Sequence, residues 1–158
     1  MDITNTFIGI VFFSLIIIPI FIINNNIRNR KNQLLNTLNE LSSDKNAKFS
    51  VTDFWSNNSG IGLKGKILAY FRKEEETQDN EVVDLKEVKK CSLVQFDRHG
   101  NVPKNNHEIN KLALHLSLNN HKEIHLVFFH ADAKNFIIGE EFRIAKKWYD
   151  IINKEIMN

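Results

Sequence analysis

Six histidines, one cysteine and a scatter of carboxylates are the side chains of this 158-residue chain with acid–base, nucleophilic or metal-ligating chemistry. The histidines are His99, His107, His115, His121, His125 and His130. A metal ion needs donor atoms that converge, and no histidine pair has the i, i+4 spacing within a helical pattern that would achieve this. His121 and His125 are four apart but straddle a turn and a strand. Two neighbouring strands would place His115 beside His125, which is still only two ligands. The reading is surface histidines and no metal site. Cys91 alternates with Leu93 on an apolar face, so it reads as a buried thiol, although Lys89 and Lys90 precede it. As the sole cysteine it excludes a disulfide within the chain and a zinc site built from several thiolates. Asp44, Asp53, Asp84, Asp97 and Asp132 occur singly, without a pairing motif. Gly60-Ile61-Gly62 lacks the rest of a dinucleotide fingerprint and opens no helix. These residues assign no catalytic group and no cofactor.

Charge narrows the partners. The 21 Lys plus Arg against 19 Asp plus Glu leave a net charge of +2, with the basic residues scattered rather than striped. The electrostatic footprint of a nucleic-acid binder is missing.

The elements that must position any site follow from apolar spacing. Phe7 to Ile23 is uncharged throughout, with Ser14 its only polar residue. A helix of that length covers roughly 26 Å, close to a bilayer's hydrocarbon core. The expectation is a retained single-pass transmembrane anchor over residues 1–23, contacting the lipid bilayer through Phe7 to Ile23. No basic residue precedes the run, and Arg28, Arg30 and Lys31 follow it. The positive-inside rule then puts the N-terminus outside and the remaining chain in the cytoplasm, at the inner (cytoplasmic) membrane. Residues 24–46 read as a juxtamembrane helix or linker, with Leu34, Leu38 and Leu41 at helical spacing. That helix pairs with a second copy, lies against its own domain or continues the span.

From Lys48 the pattern changes to short strands. Apolar runs at 49–54, 61–63, 66–73, 82–85, 89–96, 112–118 and 123–130 give seven candidates. Lys64-Gly65 reads as a hairpin turn, the acidic run at 74–81 as a solvated loop, and 97–110 as a long polar loop. Leu112, Leu114, Leu116 and Leu118 alternate with smaller or polar residues, as a strand with one buried face requires. Phe142, Ala145, Trp148, Tyr149, Ile152 and Ile156 form one face of a C-terminal helix. Glu140 and Glu141 sit in its first turn, where carboxylates suit the helix dipole.

Three segments carry a family resemblance: DFWSNNSGIGL at 53–63, VVDLKEVKKC at 82–91 and EEFRIAKKWYDII at 140–152. With seven strands before one amphipathic helix, the chain resembles uncharacterised small bacterial proteins that join one N-terminal span to a pleckstrin-homology-like (PH-like) cytoplasmic domain. The resemblance implies a mainly β (α+β) fold over 47–158, a seven-stranded barrel-like sandwich capped by the C-terminal helix, with one transmembrane helix before it. It implies no activity. The loop Ser56 to Ser59, where phosphoinositide-binding relatives cluster basic residues, carries none.

The strand at 89–96 is apolar on both faces, with Cys91 and Leu93 on one and Val94 and Phe96 on the other. One face must be covered by something outside the core. The candidate is a partner groove lined by Val94, Phe96, Lys146 and Tyr149, unless the 97–110 loop caps it. The functional expectation is a membrane-anchored, non-catalytic interaction module binding an unidentified protein, or lipid, at the inner membrane face. The alternatives are a tethered enzyme with an unrecognised active site and a structural envelope component.

Overall fold

The computed structural model describes residues 17–18, 25, 27–42, 48–56, 58–73, 78–103, 108–131 and 138–157. The chain divides into two compact units, Met1–Asn36 and Thr37–Asn158. In the first, residues 27–36 begin a helix, α1, that continues to 41 and exposes Arg28, Arg30 and Lys31.

Among the described residues no helix is long and apolar enough to cross a membrane. The expected transmembrane helix over Phe7–Ile23 is corrected on this finding. So is the inner-membrane location that depended on it. Of that run only Ile17 and Ile18 are described; both are helical and exposed, and the rest lies outside the described residues. The physical reason is that spanning takes about 20 apolar residues within one helix. The helix that is described carries Arg28, Arg30, Lys31 and Glu40 instead.

The second unit holds seven strands and a helix. They are β1 (Val51–Trp55), β2 (Ser59–Lys64), β3 (Ile67–Lys73), β4 (Gln78–Asp84), β5 (Val88–Phe96), β6 (Lys111–Leu118), β7 (Glu123–His130) and α2 (Glu140–Met157). They form two antiparallel sheets, ordered β1-β2-β3-β4 and β5-β6-β7. This arrangement replaces the expected fold class of a membrane helix joined to a PH-like barrel.

Three local expectations shift. Lys64 pairs with Ile67, so the β2–β3 turn is Gly65-Lys66, with Gly65 at φ +56°. β4 begins at Gln78, so half of the acidic run is strand. Leu85 belongs to a short 3-10 turn, Leu85–Glu87, rather than to a strand. Asp84 caps that turn by accepting the Lys86 N–H at 3.0 Å, and the chain passes from one sheet to the other there.

The core lies between the sheets and under α2. Ile61, Leu63, Leu68 and Tyr70 from one sheet meet Leu112, Leu114, Leu116, Leu126 and Phe128 from the other. Trp55 Nε1 donates to the Phe128 carbonyl at 3.0 Å and Tyr70 Oη to the Val127 carbonyl at 2.6 Å. Both bonds land where β7 carries an irregularity in its pairing with β6. A bulge leaves ladder groups without strand partners, and here two core aromatics from the opposite sheet supply donors. α2 buries Ile144, Ala145, Trp148 and Ile152, while Phe142, Tyr149, Ile151 and Ile156 pack at the margin. The buried face therefore keeps Ala145, Trp148 and Ile152 of the expected stripe and adds Ile144, while Phe142, Tyr149 and Ile156 are only partly covered.

Candidate functional site

The groups with chemistry in the second unit are isolated residues at several places, one cluster on a sheet face and one edge strand. Cys91 is in the core, and burial pushes its thiol up to about 12, so it is protonated and enclosed at neutral pH. Asp97 lies in the exposed loop after β5 and caps its own turn. The backbone N–H groups of Asn101 and His99 donate to its Oδ1 at 2.8 and 2.7 Å. Those bonds, led by Asn101, hold its carboxyl below the usual carboxylate range. Gly60 and Gly62 sit within β2, with no helix start to cradle a phosphate.

The cluster is on the outer face of the three-stranded sheet. Alternation sends Leu114, Leu116, Ile124 and Leu126 inward and leaves His115, Ser117, Glu123 and His125 on the other side. His115 and His125 are directly opposite in the β6–β7 register, and Glu123 is diagonal to His115. The two imidazoles stack with centroids 4.6 Å apart and planes 4° from parallel. His115 Nε2 stands 3.4 Å from Glu123 Oε2. The pair lacks hydrogen-bond alignment, so this enclosed nitrogen has no hydrogen-bond partner. One donor atom from each of the three residues falls within 4.8 Å of the others.

Burial first, then the charges of His115 and Lys111, hold His125 below its ordinary value of 6.5, while Glu123 pulls it the other way. The unfolded chain therefore takes up this proton first. Through this group the fold loses stability as pH falls below 6.5 and regains it as pH rises.

The edge strand is β5. Leu93 and Tyr149 both pack on the core. Val94 and Phe96 leave β5 on the face opposite Leu93; Val94 is half-buried and Phe96 is 39% exposed. Lys146 is exposed on α2. The 97–110 loop sends Ile109 into the core and ties Asn110 N–H to the Phe96 carbonyl at 2.7 Å, without burying the Phe96 ring. Two of the four residues of the expected groove thus lie on β5 and two on α2.

Sequence reasoning found the His115–His125 pair and missed Glu123. The signal was the hairpin register, which needs the length of the 119–122 connection. It also passed over Trp55 and Tyr70, whose rings form the aromatic centre with Phe128 at centroid distances of 4.6 to 6.4 Å.

No family model, no curated protein and no solved structure matches this chain.

Proposed function

We propose that the chain is a non-catalytic interaction module that binds a protein partner along β5. The observation that carries this reading is the nine-residue edge strand itself. No strand pairs with its second edge among the described residues, and it presents Val94 and Phe96 away from the core. An edge strand offers a row of backbone donors and acceptors, and a neighbouring chain in extended form satisfies them. Phe96 on one side and the α2 side chains Lys146 and Tyr149 on the other would then read the partner's alternating residues. Cys91 is unsuited to nucleophilic catalysis, because a buried thiol at about 12 supplies almost no thiolate.

The test replaces Val94 and Phe96 together by Ser and follows both partner recovery and thermal stability. Partner recovery should fall at least tenfold with the melting temperature within a few degrees of wild type. Lost stability with unchanged recovery would assign both residues to packing and remove the docking reading.

A further inference from the structure

We propose that His115, His125 and Glu123 bind a divalent transition-metal ion of the zinc class on the outer face of the three-stranded sheet. The first support is convergence. One donor atom from each residue lies within 4.8 Å of the other two, and the three residues come from two paired strands. Ligands carried on a hydrogen-bonded ladder hold their spacing better than ligands on loops.

Distance is the second support. Two ligands about 2.1 Å from a tetrahedral centre stand about 3.4 Å apart. His115 Nε2 and Glu123 Oε2 are 3.4 Å apart, too poorly aligned to be hydrogen-bonded to each other. A metal between them turns that separation into two coordinate bonds, and the exposed His125 ring, now stacked parallel to His115, turns about its side-chain torsions to aim a nitrogen at the same point.

The third is the state of His115 Nε2, which is enclosed and without a hydrogen-bond partner. Enclosed polar atoms in folded proteins are nearly always satisfied, so one left idle beside a carboxylate and a second imidazole needs an explanation. A bound cation supplies it.

The donor set fixes the class of ion. Two imidazoles and one carboxylate suit zinc and its first-row neighbours, whereas magnesium and calcium prefer oxygen throughout. Three protein ligands leave one position of a tetrahedral ion open. Lys111 is the nearby cation that opposes binding, and Glu123 the anion that favours it. The alternative is a stacked histidine pair with a loose ion pair to Glu123 and no affinity for metal. The proposal does not rest on docking at β5, since it involves neither Val94 nor Phe96.

The experiment titrates the purified, metal-stripped full chain with zinc chloride in a calorimeter at neutral pH. The comparison proteins are His115→Ala, His125→Ala and Glu123→Gln. The wild type should take up one equivalent, and each substitution should weaken binding by about tenfold or more. Zinc should raise the melting temperature of the wild type and leave that of His115→Ala/His125→Ala unchanged. His125 and Glu123 are exposed, so His125→Ala and Glu123→Gln keep the test meaningful if His115→Ala folds poorly. Absence of saturable binding to the wild type would overturn the proposal. Unchanged affinity in His125→Ala would do the same, because the zinc would then sit on other histidines.

Discussion

Asp53 Oδ2 accepts two hydrogen bonds from adjacent residues of α2, from Lys147 Nζ at 2.7 Å and from Trp148 Nε1 at 2.8 Å. The Trp148 ring is fully buried, so its single N–H has no water to turn to if the carboxylate goes. Leaving a buried donor unpaired costs about 1–3 kcal/mol. The Lys147 pair is half in solvent and contributes about 1 kcal/mol or less. Asp53→Ala should therefore destabilise by about 1–3 kcal/mol in denaturant titration, and by clearly more than Lys147→Ala. Equal losses would mean that the indole bond contributes nothing. At this scale the sequence was hard to read. Asp53 looked isolated because its partners lie some 95 residues away, on another element. Glu123 was missed for a similar reason: its approach to His115 depends on a register that no residue type announces.

At the scale of elements, β2 explains its own glycines. Phe54, Gly60 and Phe71 lie in one row across β1, β2 and β3. A Cβ on Gly60 would stand 2.7 Å from carbons of both rings. Gly62 is covered in the same way by Phe49 and by Leu38 from the end of α1. The Gly-Ile-Gly run is thus a seat for side chains on the face opposite Ile61, and Leu38 is fully buried. Of the readings of the leucine spacing in α1, packing against its own domain accounts for Leu38. Overpacking of this kind costs about 1–3 kcal/mol. Gly60→Ala should destabilise by that amount in denaturant titration. A neutral Gly60→Ala would show that the rings move aside freely. Strands with a buried face were legible because alternation records burial directly, as in β6. The start of β4 was not, because Gln78, Asp79 and Asn80 are exposed and paired through the backbone ladder with β3. Composition is silent about such pairing.

The whole second unit shares one core, to which both sheets and α2 contribute. The closing helix and strands such as β6 could be read from the sequence because they supply a periodic apolar face to that core, whereas β4 supplies Val83 alone. The apolar N-terminal run carried no such check. Hydropathy counts residue types, and the helix described beside that run is charged. Cys91 makes the unity of the second unit measurable, since it is the only cysteine and is 3% exposed within the shared core. A thiol reagent can reach it only when the structure opens. If opening is global, the labelling rate follows the unfolded population and rises tenfold for every 1.4 kcal/mol lost. Trp148→Ala removes a fully buried side chain at a cost of about 3–5 kcal/mol, so labelling should accelerate about 10²- to 4 × 10³-fold. Because Trp148 belongs to the same cluster as Cys91, that variant alone could merely open a local path. Gly60→Ala separates the two explanations, since its clash with Phe54 and Phe71 is on the far face of the other sheet. It should accelerate labelling in proportion to its own stability loss. Acceleration in Trp148→Ala with none in a destabilised Gly60→Ala would show that β5 and α2 part without the sheets unfolding. The second unit would then not behave as one cooperative body.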